Sequence, residues 1–330
     1  MTIGDVAEAL GVSKTTVSRA ISGKGRIGTA TRDRVLAYIN EHNFTPNAIA
    51  KGLAQQRTYN LGWVIPGDYD TVDLPFFQNC LLGISETASS LQYDILVSMV
   101  KGHDISQLER AVTNHKIDGV ILSRTLENDR PAQYLLEQEI PFVAIGNSRM
   151  PGVIRIDHDH QGACKELTAL LLLKGIRKIG LIGGNRSFIV TQSRLAGFMA
   201  AFAEVGLDEA SDMIYLDVDH AALVDRVVSE LLDKGAECIV CMDDSLCREA
   251  LRSLKKRQLR IPEDVKVASF YNSPALEGHV PAVTALNFDA VALGRAACRN
   301  LIHMIEGEEY EEQILLGYDI VLKESTTKRA

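Results

Sequence analysis

From Leu61 onward the chain alternates two textures, and that alternation leaves few folds open. Short runs rich in Val and Ile, "LGWVIP", "YDILVSMV", "DGVILS", "PFVAIG", "KIGLIGG", "ECIVCM" and "VKVASFY", stop at Gly, Pro, Asn, Asp or Ser. Between them stand stretches such as "QGACKELTALLLLKG" and "SRLAGFMAAFAEVG", helical in period and closed by Gly. Apolar strands joined by amphipathic helices are βαβ units of an open parallel sheet, whose ligand sites lie beyond the carboxyl ends of the strands. About ten strands in roughly 270 residues predict two such lobes rather than one.

The 330 residues are 46% apolar, enough for a large core. No run approaches the ~18 apolar residues of a membrane span. The start, "MTIGDVAEALG", has no basic segment followed by an apolar one, so it does not read as a secretory signal. The chain is expected to stay in the cytoplasm, with no membrane partner.

Charge is unevenly spread. Residues 1–57 hold eight Lys and Arg against four acids, whereas the whole chain has 35 basic and 43 acidic residues, leaving 27 against 39 for the remainder. A basic head on an acidic body predicts that the head meets a polyanion and the body does not.

Residues 1–44 read as three short helices. Thr2 with Asp5 forms a capping-box pattern, and Val6, Ala7 and Leu10 give the first helix one apolar face. Gly11 interrupts it, Ser13 is placed to cap the second helix, and Val17, Ala20 and Ile21 bury that helix. After "SGKGRIG" the third helix turns Val35, Leu36 and Ile39 inward. Helix, short Gly-containing turn, helix is the helix-turn-helix pattern, in which the second helix enters the major groove of DNA. Lys14, Thr15, Ser18 and Arg19 project away from the apolar face, and Lys or Arg suits guanine O6 and N7. Ser13, Thr16 and Ser22 are hydroxyls suited to phosphate, although Ser13 reads equally well as a simple cap. Residues 45–58, Pro-led and Ala-rich, are too short to be a stable helix alone and read as a linker that folds on contact with a partner.

Three patterns invite metal or nucleotide chemistry. Cys238 and Cys241 form a CxxC, but in a strand residues three apart point to opposite faces, which favours core thiols. "GLIGGN" is Gly-rich without being GxGxxG. The acids Glu308, Glu309, Glu311 and Glu312 read as a solvated loop. No nucleophile–base pair stands at persuasive spacing, so no enzyme, cofactor or metal site is expected.

"TIGDVAEALGVSKTTVSRAISGKGRIGTATRDRVLAYINEHNFTPNAIAKGLA" closely resembles the head of LacI/GalR-type repressors. The likeness continues collinearly through "DLPFF", "LLLLKGIRKIGLIGG", "SRLAGF", "RIPEDVKVASF", "PAVTALNFD" and "VLKEST". It implies a homodimer on a pseudo-palindromic operator in double-stranded DNA, with a periplasmic-binding-protein-like body. It also implies a helix-turn-helix domain at 1–44, a hinge helix at 45–58 and an effector core at 59–330. The amino-terminal lobe would take about 61–157 and 288–317, the carboxy-terminal lobe about 158–287 and 318–330. By resemblance Lys14, Thr15 and Arg19 discriminate bases, Asn47 and Ala50 touch the minor groove, and Leu53 wedges into its central step.

The same resemblance makes Arg194 the arginine that bonds effector hydroxyls or carboxylates, and places Phe76 and Phe77 against the ligand. Asp243 falls at the family's Asn-Asp motif, with Met242 where Asn is usual, while Pro66 and Ser123 end strands of the first lobe. In "IDHDH" the family usually starts a helix with Asp-Asn, so Asp157 is expected as an N-cap or cleft residue rather than a metal ligand. Two departures stand out. Tyr271 and Gly146 occupy positions where sugar-responsive members carry Asp, which removes acceptors suited to sugar hydroxyls and predicts an acidic or phosphorylated sugar held by Arg194. The chain stops at "KESTTKRA" without an added heptad helix, which predicts a dimer. An exported solute-binding protein would share the body but have no use for the head. The function expected is therefore that of a DNA-binding regulator, a repressor by family tendency, switched by a carbohydrate-derived effector. Exchanging Lys14 and Thr15 is expected to change which operator binds, whereas Thr16→Ala weakens all sites alike; gel-shift titration against an operator panel separates the two.

Overall fold

The structure, a computed structural model, describes residues 1–23, 25–42, 44, 52, 57–67, 75–207 and 211–327. Asn47, Ala50, Leu53 and the side chain of Ser22 lie outside the described residues. The chain divides into two compact units, Met1–Tyr59 and Asn60–Ala330.

The first unit contains three helices, α1 (Ile3–Leu10), α2 (Lys14–Ser22) and α3 (Thr29–Glu41). Thr2 and Asp5 close a reciprocal capping box on α1, and the Ser13 hydroxyl caps α2 by accepting from the Thr16 amide. These caps satisfy amides that the helix ladder leaves orphaned. Val6, Ala7, Val17, Ala20, Val35 and Ile39 form the core. Leu36, expected inward, is only half-buried and lies outside this core, while Tyr38 packs against it. Residues 35, 38 and 39 share one face at 3.6 residues per turn, and residue 36 is rotated off it.

The second unit holds two six-stranded sheets. In chain order the elements are β1 (Asn60–Pro66), α4 (Pro75–Ser90), β2 (Asp94–Val100), α5 (Ser106–Thr113), β3 (Gly119–Leu122), α6 (Arg130–Glu137), β4 (Phe142–Ile145) and β5 (Ile154–His158). There follow α7 (His160–Leu173), β6 (Ile179–Ile182), α8 (Ile189–Glu204), β7 (Ile214–Tyr215), α9 (Ala221–Asp233), β8 (Cys238–Cys241), α10 (Asp244–Lys256) and β9 (Lys266–Ser269). The last elements are α11 (Pro274–Glu277), β10 (Thr284–Asn287), α12 (Ala290–Glu306), β11 (Gln313–Leu316) and β12 (Asp319–Val321). The first sheet runs β11-β5-β4-β3-β1-β2 and is wholly parallel. The second runs β12-β10-β9-β8-β6-β7, parallel except for the antiparallel edge strand β12. Twelve strands among the described residues thus replace the ten or so read from the sequence, because the edge strands β7, β11 and β12 are only two to four residues long and give no period to read.

Central strands such as β3, β4, β6 and β8 are buried at every position, as sheets covered on both faces require. Cys238 packs into the core under α7 and α8, and Cys241 into the core under α9 and α10, so the CxxC straddles the sheet as strand geometry demands. All six cysteines are free and buried, and burial pushes the Cys238 and Cys298 thiols up to about 12. Among the described residues no helix is long and apolar enough to cross a membrane.

Helices α4 and α12 cross in near-backbone contact. A Cβ on Gly83 would collide with the Val291 carbonyl oxygen, and one on Gly294 with that of Cys80. Backbone cannot retreat as a flexible side chain can, so added volume here forces the helices apart. Gly294→Val is expected to lower stability by about 2 kcal/mol or more, read as a shift in the urea midpoint with unchanged slope.

Candidate functional site

On the head, α2 turns Lys14, Thr15, Ser18 and Arg19 outward, all exposed. The Ser13 hydroxyl accepts from the Thr16 amide at 3.1 Å and shares a hydrogen bond with the Thr16 hydroxyl at 2.9 Å. Both hydroxyls therefore organise the start of α2 and remain at the surface beside it. The Lys14 stem lies over Gly4, where a Cβ would stand 3.2 Å from Cε, and the Arg19 stem lies along Gly25 in the same way. Small residues leave room for the two long cations of this face. Arg34 donates to the Leu10 carbonyl at the end of α1, tying α3 to the turn that presents α2.

On the body, strand order reverses between β1 and β3 in one sheet and between β6 and β8 in the other. Connections leave such a switch point in opposite directions and open a crevice at the carboxyl ends. Pro66 and Ser123 are buried at the end of β1 and just past β3. Met242 and Asp243 follow β8, and Arg194 from α8 donates through Nη1 to the Met242 carbonyl. The Phe76 ring of α4 meets the Tyr271 ring edge-on at 6.1 Å, bringing the first lobe against the second. Phe77 packs edge-on against Phe76 at 5.3 Å.

Asp243 caps α10, its carboxylate accepting from the Leu246 amide at 2.8 Å, and burial pushes its pKa up against the pull of Arg194. Burial likewise raises Asp244. Tyr271, which replaces the expected acid, accepts through its carbonyl from the Ser269 hydroxyl at 2.7 Å, and burial raises its phenol. Gly146 has φ +117°, and a Cβ there would stand 2.7 Å from the Thr125 hydroxyl. A carboxylate-bearing residue at 146 would be strained by its backbone and would displace Thr125.

Thr125 belongs to a clasp between the lobes. Residues 124–127 follow β3, and residues 187–189 lead into α8. The Glu127 amide donates to the Ser187 carbonyl at 3.1 Å, and the Ile189 amide to the Thr125 carbonyl at 3.3 Å. The Arg124 guanidinium lies 4.4 Å from the Phe188 ring centroid. The Gly-rich stretch after β6 serves this clasp, because the Asn185 carboxamide accepts from the Ser187 amide and hydroxyl.

The cap of α7 is Asp159, which accepts from the Gly162 amide at 2.8 Å. Asp157, expected as the cap or as a cleft residue, lies on β5, accepts from the His158 amide and approaches His160 Nε2 at 3.4 Å. An N-cap must directly precede the first helical residue, here His160. Among the described residues no group of three or more His, Cys, Asp or Glu side chains is placed to hold a metal ion.

Sequence reasoning weighed His158 and His160 only as metal candidates and passed over Phe288. The Phe288 ring stands 5.0 Å from the His158 ring and 4.6 Å from that of His160. No local pattern marks Phe288, since only the fold brings residue 288 to residue 158. Desolvation by burial, aided by the nearby His160 and Arg194, lowers the His158 pKa from 6.5 to about 4, and burial lowers His160 too. Between those values the unfolded chain binds a proton that the native His158 refuses, so stability falls as pH drops. Acidification from 6.5 to about 4 is expected to cost on the order of 3 kcal/mol through His158. Denaturant titrations at a series of pH values check this, with His158→Asn flattening the profile.

Comparison with known proteins agrees with both parts. Residues 2–47 match the profile of bacterial regulatory proteins, lacI family, and residues 168–326 that of a periplasmic binding protein-like domain. The chain is 29% identical over 333 residues to the HTH-type transcriptional regulator MalR of Streptococcus pneumoniae, covering 98% of this chain and 99% of that one. It superposes with TM-score 0.73 and 27% identity on a transcriptional regulator CelR–cellobiose complex, over 98% and 99% of the two chains. With the lac repressor dimer bound to operator and the anti-inducer ONPF it shares the fold, at TM-score 0.81 and 23% identity over 99% of each chain. Head and body matched in this order along one chain make the protein a member of the LacI family of bacterial transcriptional regulators.

Proposed function

We propose that this regulator binds a specific operator through α2 and is released from it, or locked onto it, by a carbohydrate-derived molecule taken up between the two lobes. The exposed Lys14, Thr15, Ser18 and Arg19 on a capped, core-anchored helix carry the first half of this reading. Ser13, Thr16 and Ser22 would position the helix on phosphates, while Lys14, Thr15 and Arg19 choose the sequence. Asn47, Ala50 and Leu53 would act in the minor groove, with Leu53 unstacking the central step. The helix-turn-helix domain would take 1–44, the hinge 45–58, and the effector core 59–330, paired in a homodimer on a pseudo-palindrome.

Pro66, Phe76, Phe77, Ser123, Arg194, Asp243 and Tyr271 would line the effector site. The CelR structure with cellobiose supports a saccharide as the class. An effector shifts lobe closure, and with it the spacing or ordering of the hinge segments, only through its differential affinity for the two states. No catalytic step is assigned, and the working compartment is the cytoplasm, where the operator is. A stand-alone solute binder would leave the exposed cationic face of α2 without a role.

Affinity selection of genomic fragments by the full-length protein tests the proposal. A pseudo-palindromic consensus bound at nanomolar concentration is the expected result, and no enrichment would overturn it. Leu53→Ala is expected to reduce operator bending and weaken binding by about tenfold or more, since the lost wedge is worth a few kcal/mol. Unchanged bending would remove the hinge assignment.

A further inference from the structure

Three connections carry the chain between the two sheets: from β5 to α7, from β10 to α12, and from β11 to β12. They meet in one aromatic cluster. Phe288 of the second connection contacts His158 and His160 of the first and stands 6.4 Å from Tyr318 of the third. Its ring also lies near-parallel to that of Tyr271, with centroids 6.3 Å apart. Arg194 is close enough to act electrostatically on both histidines and on Tyr271.

Arg194, His158 and His160 are only 8%, 2% and 6% exposed. Among the described residues no partner reaches Arg194 Nε, His158 Nδ1 or His160 Nδ1. The neighbouring carboxylates each accept at 2.8 Å from a backbone amide, Asp157 from His158, Asp159 from Gly162, Asp243 from Leu246 and Asp289 from Ala292, and Asp157 also stands 3.4 Å from His160 Nε2. None forms an ion pair with Arg194. A buried guanidinium with no direct counter-charge costs several kcal/mol, and unpaired buried ring nitrogens add to that.

We propose that Arg194, His158 and His160 form a subsite for an anionic group, so that the molecule switching this regulator is a saccharide carrying a carboxylate or a phosphate. This rests on the reading that the effector binds between the lobes. An arriving anion pairs with Arg194 and accepts from the imidazoles. It also reverses the balance that keeps the rings neutral, and each ring that responds takes one proton from solvent onto its free nitrogen. The charged groups facing the rings are Asp157, Asp159, Asp289 and Arg194. Tyr318, whose ring lies 6.4 Å from that of Phe288, donates to Glu166 at 2.8 Å. Binding is therefore accompanied by proton uptake and weakens as pH rises.

Calorimetry on the full-length protein tests this with matched probes: glucose, gluconate, glucuronate and glucose 6-phosphate, then cellobiose and cellobionate, and maltose and maltobionate. Each titration is run at pH 7 in two buffers of different ionisation enthalpy. An acidic member is expected to bind about tenfold or more tighter than its neutral counterpart. Its apparent enthalpy should change with buffer as proton uptake requires. A preference for gluconate, glucuronate, cellobionate or maltobionate assigns a carboxylate, and one for glucose 6-phosphate assigns a phosphate. His158→Asn and His160→Asn should each reduce the preference and the uptake while near-ultraviolet dichroism stays native. The wild-type buffer dependence stands as a readout if either variant misfolds. A neutral sugar binding as tightly as its acid, or acid binding without proton uptake, overturns the subsite and leaves the function intact. Failure of every probe overturns the saccharide effector and the subsite together.

Discussion

Parallel strands cannot turn back on themselves, and that constraint organises the body of this protein. Each strand must be followed by a crossover, so the carboxyl ends of β1, β3 and β4 share one edge of the first sheet, and those of β6, β8 and β9 one edge of the second. Pro66, Ser123, Asp243 and Tyr271 are thereby delivered to strand ends, where a doubly wound sheet opens its crevice. Strand order reverses once in each sheet, and the reversal decides where that crevice opens. The helices that make the crossovers need close seats, and Gly83 and Gly294 provide one between α4 and α12.

Two lobes built this way have different kinds of contact between them. The connections at the aromatic cluster are covalent and packed, with Phe288 against ring side chains from the other two crossings. The clasp of residues 124–127 with 187–189 rests on two backbone hydrogen bonds and one cation–π contact. Each net hydrogen bond is worth about 1 kcal/mol, so the clasp is the softer of the two. The buried charge of Arg194 lies near the packed connections, where low dielectric makes any counter-charge count most.

The head works by contrasting rules. Its core is six small side chains, and the helices depend on their caps, with the Thr2–Asp5 box and the Ser13 hydroxyl both in place. All of this was readable from the sequence, because capping acts over three residues and helix faces repeat every three to four. Leu36 was misplaced for the same local reason: a run of apolar residues does not say which of them wins the inward position.

In the body, local pattern located the strands and helices, the bipartite architecture and the opposed Cys238 and Cys241, since each depends on periodicity within one element. It missed the edge strands of two to four residues, which are too short for a period to register, and of the two roles read for Asp157 the cap of α7 falls to Asp159. The sequence alone determined a helix-turn-helix head on a two-sheet body, and which residues are exposed on α2. Only tertiary structure decided that Phe288 gathers His158 and His160 and that Arg194 is buried without an ion pair among the described residues. The Phe288 contacts join residues more than a hundred positions apart, and the energy of a buried charge is set by such neighbours rather than by the segment that carries it.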